Sequence, residues 1–70
     1  MKTDSVFLKE IGKRMRSIRT SQRISIAEMH RITGIAESNI THIEKWGRDA
    51  HVLTLKKIAD VLKVDVKEFL

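Results

Sequence analysis

The sequence predicts an all-α fold, a bundle of five short helices. Three observations favour this class. The 70 residues include no proline, so no helix is interrupted by a missing backbone donor. Apolar residues recur at spacings of three and four, which is the period of one helix face. No segment shows the strict alternation that is typical of a half-buried strand.

Length and composition narrow the class of protein. With 70 residues the chain is expected to form one domain over 1–70, and such a domain buries about 60% of its unfolded surface. There is no cysteine, which excludes disulfides and thiolate metal sites. No apolar run approaches the roughly 20 residues of a membrane span, and no signal-peptide segment is present. We therefore expect a soluble cytoplasmic chain without a membrane partner.

The positive charge is concentrated at one end of the chain. The formal net charge is +5, a mild bias toward a polyanionic partner. Residues 1–24 hold seven Lys or Arg and two acids, which gives +5, whereas residues 25–51 come to −1 and residues 52–70 to +1. The basic first segment includes Lys13, Arg14 and Arg16. These side chains either add to the electrostatic field that attracts a polyanion or form a solvated basic face.

An apolar stripe predicts a first helix at about 5–20. Gly12 lies within this helix and lowers its stability by about 1 kcal/mol relative to alanine. A close approach of a second helix would justify a glycine at that position. The stripe consists of Leu8, Ile11, Met15 and Ile18.

The next segment has the pattern of a helix-turn-helix. Ser25 and Glu28 have the spacing of a capping box, and Gly34 is suited to the left-handed residue that ends a helix. These signals predict a second helix at about 26–33 and a third at about 36–45. A short link containing glycine between two helices is typical of this motif. The inward residues are predicted to be Met29, Ile32, Ile40 and Ile43.

The C-terminal third predicts two further helical elements. After a loop containing Gly47, a fourth helix is expected at about 52–62. Asp65 and Glu68 form a second capping-box pattern that opens a last helical turn. The inward residues are predicted to be Val52, Leu55, Ile58, Ala59 and Leu62 in the fourth helix, and Val66, Phe69 and Leu70 in the last turn.

The run from Ile11 to Leu70 resembles the helix-turn-helix domain of the phage Cro and repressor proteins, the Xre family. The resemblance rests on IGKRMRSIR, ISIAEM, TGI, SNITHIEK and LKKIADVLKVDVKEFL. It implies a phage-repressor-like five-helix domain whose third helix enters the major groove. It also implies a sequence-specific transcriptional regulator that binds double-stranded DNA, as a homodimer on a pseudo-palindromic operator.

The predicted third helix suits base recognition. Each base pair presents a distinct pattern of donors and acceptors in the major groove, and short polar side chains read that pattern. Glu37 would accept from a cytosine amino group, and Asn39 would pair with adenine. A solvated surface helix would show the same pattern. The resemblance implies base contacts at Glu37, Ser38 and His42, and the residues themselves add Asn39 and Thr41.

Further roles are implied by the resemblance alone. Positions that match Ser25, Lys45 and Arg48 contact the phosphate backbone in the family. Positions that match Arg19 and Glu44 form a structural ion pair between the first and third helices, although the arginine can also point at a phosphate.

Six residues depart from the family pattern: Ile26, His30, Ala36, Trp46, Gly47, and Ala50 in place of a common Pro. Ile26 replaces a common Gln, and it either contacts a thymine methyl or packs against the protein. His30 replaces a small Ala, so its nitrogens must be satisfied or the helices are pushed apart. Ala36 lacks a capping oxygen. Trp46 lies in a dimer interface, lies against a sugar-phosphate chain, or closes the loop over helix four.

The sequence also allows a second function class and argues against a third. A protein-interaction module, antitoxin-like or anti-repressor-binding, would retain the fold with weak or no DNA binding, and the near-neutral segment around Glu37 favours it. No metal site is predicted because the histidines lack partners at ligand spacing. We predict no cofactor and no enzyme, since nothing orients His42 beside Ser38 for catalysis.

Overall fold

In the computed structural model, the backbone is described for residues 2–48 and 51–70, and side chains for residues 6–48 and 51–70. Over this part of the chain the fold is all-α, without a strand, as predicted. None of its helices is long and apolar enough to cross a membrane. The elements are α1 (Lys2–Ser21), α2 (Ile26–Thr33), α3 (Glu37–Trp46), α4 (Val52–Leu62) and a 3₁₀ turn (Val66–Phe69).

The predicted fifth helix is a single 3₁₀ turn. Asp65 accepts a hydrogen bond from the backbone N–H of Lys67 at 3.0 Å, instead of from Glu68 as a capping box requires. The N–H of Glu68 donates to the backbone oxygen of Asp65, which is the tighter 3₁₀ pattern. This turn buries Phe69 completely and so closes one end of the core.

The core is formed by residues of all four helices and the 3₁₀ turn, with α1 packed on α3 and on the 3₁₀ turn, and α2 packed on α3 and α4. Three residues that were predicted to point inward are instead exposed: Ile32 by 49%, Val52 by 73% and Leu70 by 56%. All three lie at the ends of short elements, where neighbouring helices no longer cover them. The buried apolar residues are Ile11, Met15, Met29, Ile40, Ile43, Leu55, Ile58, Ala59, Leu62 and Phe69.

The close approach predicted at Gly12 occurs between α1 and α3. A Cβ atom added to Gly12 would lie 2.0 Å from the backbone oxygen of Ile43 and 2.9 Å from that of Glu44. The two backbones are therefore in direct contact, and α1 fixes the position of α3 in the domain.

Two hydrogen bonds join α1 and the residue that follows it to the C-terminal part of the chain. Arg14 donates to the backbone oxygen of Leu70, and Gln22 donates to that of Leu62 at 2.7 Å. Because α3 packs directly on α1, these bonds help to fix the positions of the helices relative to one another.

Candidate nucleic-acid interface

The turn between α2 and α3 is fixed by its own hydrogen bonds. Gly34 has φ 78°, which is the left-handed conformation that glycine adopts without steric cost. Its N–H donates to the backbone oxygen of His30 at 2.8 Å. The Thr33 hydroxyl donates to the backbone oxygen of Met29 at 2.7 Å and accepts from the N–H of Ile35 at 3.1 Å. The angle between the two helices is therefore set by local chemistry.

His30 does not push α2 and α3 apart. Its side chain is exposed, and its Nδ1 lies 2.8 Å from the backbone oxygen of Ile35. A carbonyl oxygen accepts only, so this contact requires a proton on Nδ1. The histidine thus crosses the outside of the turn and adds a bond to it.

Ser25 caps α2, but only half of the predicted capping box is present. The Ser25 hydroxyl accepts from the N–H of Glu28 at 3.0 Å. The Glu28 carboxylate pairs with Arg31 one turn along α2, which holds the pKa of Glu28 below its ordinary value and raises the pKa of Arg31. Ser25 is exposed at the start of α2, at the position where the resemblance implies a phosphate contact.

One side of α3 is anchored and the other is open. Ile40, Ile43 and Glu44 are buried, whereas Ser38 and Lys45 on the opposite side are exposed. Residues advance by about 100° around a helix, so Ser38, His42 and Lys45 form one line along the open side. Thr41 and Asn39 lie on opposite flanks of this line, and Glu37 lies at its N-terminal end. Of the five predicted base-contacting residues, Glu37, Ser38 and Asn39 are exposed, and Thr41 and His42 are half-buried.

Arg19 and Glu44 form a bidentate ion pair between α1 and α3. The distances are 2.6 Å from Nε to Oε2 and 2.9 Å from Nη2 to Oε1, and both residues are only 7% exposed. The Nη1 atom of Arg19 donates to the backbone oxygen of Ile24 at 2.6 Å. Arg19 therefore joins α1, α3 and the segment that leads into α2, and it faces the protein interior.

Trp46 is the last residue of α3, and Gly47 follows it in the left-handed conformation at φ 71°. The indole is 49% exposed, and the Nζ atom of Lys9 on α1 lies 5.9 Å from its ring centroid. Its described neighbour is therefore Lys9 of α1, and its placement in a dimer interface, against a sugar-phosphate chain or over the loop before helix four stays a prediction. The predicted phosphate-contacting residue Arg48 is exposed just beyond Gly47, whereas Asp49 and Ala50 of the predicted loop lie outside the described residues.

Helix α1 borders the open side of α3 with three cations, of which Lys13 and Arg16 were singled out in the sequence and Lys9 was not. These three side chains lie next to Lys45. Near the start of α2, Ile26 is half-buried and lies with Arg16 and Thr41 around a second hollow. The signal in the sequence is a spacing of three and four among the α1 cations, but it does not reveal which helix they face.

Comparison with known proteins gives the family. No curated protein sequence matches the chain. The crystal structure of the restriction-modification controller protein C.AhdI from Aeromonas hydrophila has a similar fold, with a TM-score of 0.84, 24% sequence identity, and coverage of 90% of this chain and 96% of that chain. The helix-turn-helix family model matches residues 15–69. The chain thus belongs to the Cro/C1-type helix-turn-helix family, the Xre family of DNA-binding transcription regulators.

Proposed function

We propose that this chain is a sequence-specific transcriptional regulator that binds double-stranded DNA as a homodimer. In this proposal α3 enters the major groove of each half of a pseudo-palindromic operator. The observation that carries it is the two-sided character of α3. Ile40, Ile43 and Glu44 fix one side of the helix in the fold, and the other side presents side chains short enough to reach base edges.

Base recognition is assigned to the open side of α3. The Glu37 carboxylate suits the amino group of cytosine, and the Asn39 amide suits adenine. The Ser38 hydroxyl and the His42 imidazole lie on the line that would face the groove floor, with Thr41 on its flank. An anchored helix supports this assignment, because base contacts need side chains that are held in a fixed register.

Phosphate contacts are assigned to the two ends of the helix-turn-helix. Ser25 lies at the N-terminus of α2, where the helix dipole favours an anion. Lys45 is in the last turn of α3, and Arg48 follows it. Such contacts would provide much of the affinity and make it dependent on salt. Arg19 and Glu44 are assigned to structure, since each uses its charge on the other.

The dimer is proposed from the open apolar surface of α4. Val52 and Leu53 are 73% and 77% exposed, and they are adjacent in its first turn. We propose a second copy of this chain as their partner, because a twofold-symmetric pair places two α3 helices about one turn of DNA apart. This arrangement matches the pseudo-palindromic operator of the proposal.

A protein-interaction module is the second candidate. The exposed Glu37 carboxylate at the start of α3 favours it, because a carboxylate there opposes the approach of phosphate. In that case α3 would bind a protein of the antitoxin-partner or anti-repressor type, and affinity for DNA would be weak at every salt concentration.

Selection of bound duplexes from a random-sequence DNA pool distinguishes the two candidates. The regulator should enrich a pseudo-palindromic site, and binding to that site should weaken steeply as salt is raised. Absence of any enriched sequence, with weak binding even at low salt, would contradict the regulator and favour the interaction module.

A further inference from the structure

An open groove of about 460 Å³ runs between α1 and the C-terminal end of α3. Four cations and the single tryptophan of the chain line it, and we call it the α1–α3 groove. The cations are exposed to solvent, and the indole is half exposed. The residues that define the groove are Lys9, Lys13, Arg16, Lys45 and Trp46.

The positive charge of the groove is only partly neutralised within the protein. Two carboxylates also border it: Glu44 is paired with Arg19, and the exposed Glu10, which lies 3.9 Å from Arg14, offsets one of the four cationic charges. Among the side chains that the structure describes, none of the four groove cations forms an ion pair. The groove thus retains a net cationic charge for an external partner.

The groove continues along α3 toward the start of α2. Arg16 and Lys45 border both the groove and the adjoining hollow, which Ile26 and Thr41 also line. Ile26 is the first residue of α2, directly after Ser25. A line of positive charge therefore passes from Trp46 to the N-terminus of α2, beside the open side of α3.

We propose that the α1–α3 groove binds a stretch of DNA backbone flanking the base pairs read by α3. Lys13 and Arg16 contact its phosphates, and Lys9 and Trp46 cover the adjacent sugar-phosphate chain. This inference rests on the proposed function and extends its contact surface to α1. DNA is the partner that fits, because a backbone presents regularly spaced anions to a line of cations that is continuous with α3.

The structure assigns different surroundings to cations of α1 that are neighbours in the sequence. Arg14 lies between Lys13 and Arg16 in the chain, but it does not line the groove and instead donates to the backbone oxygen of Leu70. The proposal therefore assigns phosphate contacts to Lys13 and Arg16 and none to Arg14.

The test is the salt dependence of binding of the full chain to its selected duplex. A Lys13→Gln/Arg16→Gln double variant removes two proposed phosphate contacts at exposed positions. We expect the slope of log K against log salt to become shallower by about 3.6, since the proposed dimer loses four phosphate contacts and each contributes about 0.9. The matched control is Lys57→Gln/Lys67→Gln, which removes the same charge from exposed sites outside the groove and should leave the slope close to that of wild type.

The length of the duplex locates the contact. When the selected duplex is shortened from its ends, the affinity of the wild type should fall and that of the double variant should stay constant. On the minimal site the two proteins should then bind with nearly equal affinity. A double variant that keeps the wild-type slope, or that differs from wild type equally on long and minimal duplexes, would overturn the groove proposal alone. A wild-type chain that shows no salt-dependent DNA binding would overturn the proposed function and this inference together.

Trp46 gives a readout that does not depend on affinity. Because it is the only tryptophan, its fluorescence reports on the α1–α3 groove directly. In the complex with a long duplex, acrylamide should quench Trp46 less than in the free protein, and shortening the flanks should restore the quenching. Equal quenching in the free protein and in the long complex would contradict the proposal.

Discussion

Arg19 of α1 and Glu44 of α3 form a buried bidentate ion pair, and Arg19 also donates to the backbone of Ile24 just before α2. One side chain thus joins the two helices of the proposed DNA-binding unit to the first helix. A buried charge that loses its partner is costly, so this pair sets how firmly α3 is held.

We expect Glu44→Ala to lower the free energy of unfolding by about 3–5 kcal/mol, because it leaves Arg19 buried without its carboxylate. Urea unfolding of the variant measures this loss. The control is Asp60→Ala, which removes an exposed pair with Lys56 and should cost no more than about 1 kcal/mol. Equal losses in the two variants would show that the buried pair does not stabilise the fold.

Gly12→Ala should destabilise the protein although alanine is the better helix former by about 1 kcal/mol. The added Cβ would overlap the backbone oxygen of Ile43, so α1 and α3 must separate. We expect a net cost of about 1–3 kcal/mol or more in denaturant unfolding. Gly34→Ala is the control, because no atom lies within 4 Å of the position that its Cβ would occupy. Only the left-handed backbone is unfavourable for alanine there, and it should lower the free energy of unfolding by about 1–2 kcal/mol. A Gly12→Ala variant as stable as wild type would contradict the close packing.

Adding a cap to α3 should stabilise the domain. Ala36 precedes α3 and makes no side-chain capping bond, whereas Ser25 caps α2. We expect Ala36→Ser to raise the free energy of unfolding by about 0.5–2 kcal/mol, and Ser25→Ala to lower it by a similar amount. Thermal or denaturant unfolding of both variants checks the prediction. Changes of the same sign in the two variants would contradict it.

The Glu28–Arg31 pair should be visible in an NMR titration. The hydrogen bond from Arg31 holds the pKa of Glu28 below its ordinary value, so the ionised pair contributes to stability above the unfolded-state pKa. That contribution is lost as pH falls through the lowered pKa of the folded state. We expect Arg31→Gln to raise the pKa of Glu28 toward its ordinary value, whereas Lys57→Gln should leave it unchanged. A Glu28 pKa that is the same in all three proteins would refute the assignment.

The general fold was predictable because it depends on local signals. The expected bounds of α2 and α4 coincide with Ile26–Thr33 and Val52–Leu62; a serine cap and a glycine mark the ends of α2, and the apolar stripe alone marks α4. The burial of Ile32 and Val52 was predicted wrongly. Periodicity identifies the apolar side of a helix, but it does not tell how far the neighbouring helices extend along it.

The candidate interface was predictable only in part. The open side of α3 follows from its own periodicity, because Ile40 and Ile43 indicate which side is buried. The contact between Lys9 and Trp46 depends on where α1 crosses α3, which is a tertiary relationship. The exposed position of His30 depends on its bond to Ile35 across the turn, which the family pattern of a small residue did not suggest.

The proposed function depends above all on recognition of the DNA sequence by the open side of α3. The most direct test is the ratio of affinities for the selected duplex and for a scrambled duplex of the same length, at physiological salt. We predict a ratio of about 10³ or more for the wild type, and Ser38→Ala or His42→Ala should each reduce discrimination at particular base pairs by about 1–3 kcal/mol. The control Lys57→Ala should keep the full ratio. A wild-type ratio close to one would contradict the claim that α3 recognises bases.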